Sequence, residues 1–160
     1  MEKFELDFDR DTVAITVVAL ILLSIFGVYC LLSGIRETLI FSFLSILVFL
    51  LFLMMPTSVE VSSEFIKVNR VLGSVKCPIS KNVEILEELG WGLLVGTAGL
   101  FGWYGVYTIK GETALVYSRK NRKLVLVRAK RNYVFGVKNP EKFVQCLQNL
   151  NILKKGTVGR

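Results

Sequence analysis

Residues 12–35 read TVAITVVALILLSIFGVYCLLSGI and residues 38–55 read TLIFSFLSILVFLLFLMM, with only Arg36-Glu37 between them. The first run has 24 residues without a charge and the second 18. About 20 apolar residues in a helix cover the roughly 30 Å hydrocarbon core of a bilayer. Backbone placed in hydrocarbon must satisfy its own hydrogen bonds, which makes each run a helix. Neither run carries the polar stripe of a helix that is half in water. The link Ser33–Glu37 has room only for a tight reversal. Residues 12–55 are therefore read as a transmembrane helical hairpin, a two-span anchor. A cleaved leader fits poorly, because the first run is long, its front is acidic and a second span follows at once.

Inside the spans, Ser24, Gly27, Ser42 and Ser45 are small enough to let two helices approach closely in lipid. No ionisable residue interrupts either run, so no ion or proton path is expected. On the flanks the charge is uneven. Residues 1–11 carry a net charge of −3 and residues 57–160 a net charge of +10. Lys and Arg favour the cytoplasmic side of a span, which places both termini in the cytoplasm and the protein in the cell membrane. The three cysteines, Cys30, Cys77 and Cys146, form no CxxC pair and the chain has no histidine. Disulfide frameworks, zinc sites and histidine chemistry are thereby disfavoured.

Before the hairpin, the acidic arm 1–11 alternates Phe4, Leu6 and Phe8 with Glu5, Asp7 and Asp9. Such alternation is either a strand joining an edge of the basic domain or a solvated acidic leader. After Pro56 the pattern turns to short β segments: a strand at Val59–Val61, Glu64–Val71, a turn at Leu72-Gly73, then Ser74–Ser80. In Ser74–Ser80, Val75, Cys77 and Ile79 share a face, and Pro78 demands an edge or a bulge. Val83–Leu89, Gly105–Ile109, Thr113–Ser118, Leu124–Lys130 and Tyr133–Lys138 continue the series, with turns at Lys110-Gly111 and Arg131-Asn132. Closely spaced strands with short turns predict an antiparallel barrel or sandwich. The last element, about 140–154, is a helix. Asn139 caps it, Pro140 opens it and Glu141 complements its dipole, while Phe143, Cys146, Leu147 and Leu150 share one face. Residues 156–160 are a tail.

The segment Trp91–Ile109, WGLLVGTAGLFGWYGVYTI, is uncharged over 19 residues, five of them glycine. A hydropathy window would make it a third span. That would strand the early and late β segments on opposite faces, so it is read as a long glycine-rich loop entering a strand near Gly105. Its Trp91, Leu93, Leu94, Leu100, Phe101, Trp103 and Tyr104 suit the headgroup zone, where Trp and Tyr collect, or a neighbouring subunit.

The order of about seven short strands and one capped helix resembles a pleckstrin-homology (PH) fold. Gly99–Leu147 is similar to the bacterial PH-domain family of small prokaryotic membrane proteins. The matching features are the glycine-aromatic entry Leu100–Gly105, the strand Ala114–Tyr117, the pattern Tyr133–Val137, Asn139-Pro140-Glu141 before Phe143, and Leu72–Ile79 earlier. The resemblance implies a noncatalytic PH-like domain, residues 56–155, beside transmembrane helices. The fold class expected is thus membrane-anchored α+β: a two-helix hairpin, then a PH-like antiparallel β barrel or sandwich capped by a C-terminal helix.

The basic run 118–132 places Arg119, Lys120, Arg122, Lys123 and Arg131 as contacts to anionic lipid headgroups, each contributing about 1 kcal/mol near a membrane surface; the plainer reading is solvated hairpin tips. Phosphoinositide recognition is not carried over, because the loop at Val71–Gly73 is short. Nucleic acid is not expected, since no RNP-like or KH-like signature appears. No catalytic, cofactor or metal residue is assigned, for Glu87-Glu88 point to opposite faces of a strand and GLFGWYG lacks the Lys-Ser/Thr of a phosphate loop. The chain is read as a noncatalytic scaffold that oligomerises or docks a membrane-protein partner. The alternative is a lipid-binding or sensor module with a ligand pocket between sheet and C-terminal helix.

Overall fold

The computed structural model describes residues 2–80, 82–89 and 92–157, with 151–157 as backbone only. Asp9 starts the first helix: its carboxylate accepts from the Thr12 amide at 2.7 Å, and α1 runs Arg10–Ser33. An aspartate at this position satisfies an amide that the helix itself leaves bare. Gly34, at φ +137°, makes the whole reversal, and α2 runs Ile35–Met54. The turn is shorter than Ser33–Glu37 because glycine alone readily adopts that backbone, so Arg36 and Glu37 already belong to the first turn of α2. Both helices are long and apolar enough to cross a membrane. The rest of the chain leaves them largely uncovered, with no buried residue in α2. Where they touch, Gly27 makes room for Phe41; a Cβ there would lie 2.7 Å from that ring.

Strands β1 (Glu2–Glu5), β2 (Pro56–Val61), β3 (Phe65–Arg70) and β4 (Ser74–Pro78) form one antiparallel sheet in that order. The acidic arm is thus a strand, paired from Glu2↔Val61 to Glu5↔Ser58. β4 lies at the edge, where Pro78 needs no ladder partner on its outer side. A second sheet holds β5 (Asn82–Glu88), β6 (Leu93–Ala98), β7 (Trp103–Ile109), β8 (Glu112–Ser118), β9 (Arg122–Arg128) and β10 (Asn132–Phe135), in the order β5-β9-β10-β8-β7-β6. Its pairs are antiparallel except β8 with β10, which run parallel. Neither sheet closes on itself, so the architecture is α+β with two open sheets rather than a barrel. The arm joins them: Leu6 bridges Val137, and the Lys138 amide donates to the Glu5 carbonyl at 3.0 Å.

The run Leu124-Val125-Leu126-Val127 lies in the second sheet, and all four are buried. Leu124 and Leu126 join Leu86, Trp103, Tyr107, Val116 and Val134 on one face. Val125 and Val127 join Phe4, Val59, Ile66, Val68, Cys77 and Phe135 on the other. An unbroken apolar strand is what a sheet covered on both faces requires. Helix α3 (Pro140–Thr157) seals the second cluster with Phe143 and Leu147, both fully buried, and Cys146 and Leu150 pack beside them.

The segment 91–109 departs from expectation: Leu93–Ala98, inside the anticipated loop, is strand β6, and with β7 it makes an antiparallel hairpin. Gly96 and Gly105 face each other across it. A Cβ on Gly96 would sit 2.2 Å from the Tyr104 carbonyl oxygen, and one on Gly105 would sit 2.1 Å from that of Val95. The glycines mark a close approach of two strands, not a flexible loop. Because β5, before the segment, shares a sheet with β8 and β9, after it, the segment makes no third crossing.

Burial pushes the Cys77 thiol up from about 9 to about 12. The unfolded chain releases that proton first, so this group lowers stability as pH rises through that interval. Folded protein at about pH 8.5 is expected to leave Cys77 unreacted with iodoacetamide, and denaturant to expose it. Rapid alkylation without denaturant would contradict the packing of β4.

Candidate functional site

Several polar contacts between residues far apart in the chain gather where the β domain meets the helix hairpin. At the β6–β7 tip the Gly99 amide donates to the Gly102 carbonyl at 3.0 Å. Gly99 lies so close to α1 that a Cβ would be 2.6 Å from Ile15 Cδ1. Thr12 and Thr16, four residues apart, share one face of α1. Thr12 Oγ1 accepts from Trp103 Nε1 at 3.1 Å, and Thr16 Oγ1 accepts from the Phe101 amide at 3.0 Å. The same tip reaches α2, where Phe101 meets Phe52 edge-on at 5.4 Å and the Tyr104 hydroxyl donates to the Leu51 carbonyl. One hairpin therefore grips both helices.

Thr16→Val keeps the shape and removes the acceptor for the Phe101 amide. The expected cost is about 1–2 kcal/mol. Amide exchange at Phe101 should accelerate while exchange at Val125 and Val127 stays slow. An unchanged Phe101 rate would mean that the tip is held by packing alone.

Two other turns reinforce this joint. In the β8–β9 turn, Arg119 Nε donates to the Pro56 carbonyl at 2.7 Å, and its guanidinium lies 4.4 Å from the centre of the Phe8 ring. The Asn121 amide donates to Asp9 Oδ2 at 2.8 Å. In the β3–β4 turn, the Val71 and Leu72 amides donate to the Met55 and Leu53 carbonyls, each at 3.0 Å. The Leu72 bond satisfies a carbonyl that the end of α2 would otherwise leave bare.

Between α2 and the second sheet lies a cavity of about 500 Å³. Leu47, Leu51 and Met54 form one wall, and Val95, Val106 and Leu115 stand among the residues opposite. Arg70, at the end of β3, lines it too. Its guanidinium lies 5.5 Å from the centre of the Tyr117 ring, and its Nε is buried without a hydrogen-bond partner. No family model, no curated protein and no solved structure matches this chain.

The residues anticipated as one surface separate into several roles. Trp91 lies outside the described residues. Trp103 and Tyr104 are buried, so they are corrected from surface contacts to internal ones: their N–H and O–H find acceptors on α1 and α2. Phe101 packs on Phe52, and Leu100 lines a groove with Leu20, Leu23, Phe26 and Val48. Leu93 packs against the cluster around Trp103. Leu94 stays in the open, as does Val95 beside it.

The basic residues divide as well. Arg119 and Lys120 are partly buried, which lowers the pKa of each; for Lys120 the nearby Asp7 opposes that effect. Arg122 and Lys123 are exposed at the end of β9 nearest the joint. Arg131 is exposed beyond the other end of β9, about 20 Å away at the rise of a strand. These five residues therefore do not form one patch, because a strand separates the two turns that carry them. Sequence reading missed Thr12, Thr16 and Arg70. The available signal was two threonines four apart in an aliphatic run, and a lone cation just before the apolar turn Val71-Leu72.

Proposed function

We propose that this chain is a membrane-anchored, noncatalytic binding and assembly module. In this reading α1 and α2 span a prokaryotic cell membrane and the PH-like β domain lies on its cytoplasmic face with both termini. The observation that carries it is the grip of the β6–β7 tip on both helices, which fixes the orientation of the domain to its anchor. Thr16 lies about 9 Å along α1 from Arg10 at the helical rise, so the tip would dip into the near leaflet. Arg122 and Lys123 would then face headgroups, and Arg131 would not. A PH-like relationship is supported by the order of many short strands followed by a capped helix sealed by Phe143 and Leu147.

Assembly is supported by the edge strand β6, whose Leu94 and Val95 are 59% and 70% exposed beside α2. An open edge with apolar side chains invites pairing with another chain. A noncatalytic role is in keeping with the carboxylates that the fold does gather. Glu84 and Glu112 are both engaged by Arg128, at 3.3 and 3.0 Å.

The test is the mass of the full chain after extraction in mild detergent, measured by light scattering. A multimer is expected, and Leu94→Glu with Val95→Glu should reduce it to a monomer without lowering the melting temperature. A wild-type monomer would remove the assembly reading. In intact cells, Lys120→Cys should be labelled only from the cytoplasmic side; labelling from outside would invert the topology.

A further inference from the structure

The cavity between α2 and the second sheet combines two properties that seldom serve the same occupant. Its walls are mostly aliphatic side chains from α2 and from strands β6, β7 and β8, and its volume of about 500 Å³ lies in the range of small-molecule sites. Yet it is lined by Arg70, which makes no ion pair among the described residues. Arginine stays charged at any physiological pH, and its planar fork matches a phosphate better than a lysine does. A guanidinium nitrogen withdrawn from water with no acceptor is unfavourable, and an arriving anion would relieve it. Of the two tyrosines on the wall, Tyr104 has its hydroxyl committed to the Leu51 carbonyl, and Tyr117 lies beside the Arg70 guanidinium as a neutral neighbour that does not balance its charge.

The two properties are also ordered in depth. Arg70 pairs in register with Pro56, just past the end of α2. The apolar wall runs back along α2 from Met54 to Leu47, about 10 Å at the helical rise. Charge therefore lies at the helix end and hydrocarbon lies along the helix, the order in which a phospholipid presents its headgroup and chain. A free phosphate would leave the apolar wall unused, and a neutral hydrocarbon would leave the Arg70 charge without a counter-ion.

We propose that this cavity holds one acyl chain of an anionic phospholipid, with the phosphodiester on the Arg70 guanidinium. The proposal rests on the membrane reading above but not on assembly. It gives the module a lipid cofactor wedged between anchor and domain.

Native mass spectrometry of the full chain, extracted in mild detergent and supplied with phosphatidylglycerol or phosphatidylcholine, tests it. Wild type should retain one phosphatidylglycerol in about fivefold preference to phosphatidylcholine, the factor for one basic contact. Arg70→Lys should keep part of that preference and Arg70→Gln should lose it. Should Arg70→Gln fail to fold, Val95→Trp decides. It fills the mouth of the cavity from an exposed position and should abolish retention while the melting temperature holds.

Equal retention of the two lipids by wild type overturns the proposal, as does undiminished retention by Val95→Trp. Displacement of the lipid by inorganic phosphate would also overturn it, by showing a headgroup-only site. The same spectra report stoichiometry. Loss of lipid preference in an intact multimer would refute the cavity assignment alone, and a monomer that keeps the preference would refute assembly alone.

Discussion

Gly105→Ala is expected to destabilise the protein by more than about 4 kcal/mol, or to prevent folding. Its φ is +130°, a backbone conformation that side-chain-bearing residues rarely adopt, and the new Cβ would lie 2.1 Å from the Val95 carbonyl oxygen and 2.7 Å from Gly96 Cα. The obstruction is backbone, so no rotamer change can relieve it. Strain of this kind alone costs roughly 1–3 kcal/mol, and the overlap forces β6 and β7 apart. Separation would also pull the tip from Thr12, Thr16 and Phe52, loosening the domain from both helices. Gly111→Ala is the control: its φ is +81° but nothing lies within 4 Å of the added atom, so about 1–2 kcal/mol is expected. Thermal melts of the two variants in one detergent compare them directly. Equal losses would show that conformation, and not the close approach of strands, sets the cost.

Phe143→Ala should cost about 3–5 kcal/mol, the range for removing a buried aromatic ring. Phe143 is fully buried, meets Phe4 edge-on at 5.0 Å and lies 5.7 Å from Phe135. One ring thus ties α3 to the N-terminal strand and to the second sheet. The readout that separates this from general destabilisation is local. Amide exchange over Lys3–Glu5 should quicken more than exchange in β7 and β8, whose own pairing does not involve the ring. Uniform acceleration would mean that β1 is held by its ladder with β2 and owes nothing to α3.

The two apolar helices, their single reversal and the capped C-terminal helix were legible because each is written in neighbouring residues. Hydrocarbon length, helical spacing and a cap all act within a few turns. Most strands were legible for the same reason, down to the edge position that Pro78 imposes on β4. The β6 strand was not. Its glycines resemble a loop until Gly96 is seen opposite Gly105, and which residue faces which is a property of two strands rather than of one.

The candidate site was legible in outline only. Residues 91–109 were singled out, but as a surface, and Trp103 and Tyr104 proved internal. A Trp or Tyr seeks a partner for its polar atom, and sequence does not say whether that partner is a headgroup or a threonine on a distant helix. Arg70 carried only the weak signal of a cation before an apolar turn, since its meaning comes from the α2 residues that share its cavity. By itself the sequence determined the two long apolar helices, the β character of the chain beyond Pro56 and the excess of positive charge, since these depend on composition and local period. The tertiary structure alone decided the order of strands, the parallel β8–β10 pair, the grip of one hairpin on two helices and the cavity beside Arg70. Those depend on contacts between residues far apart in the chain, and local preference cannot choose among distant partners of equal chemistry.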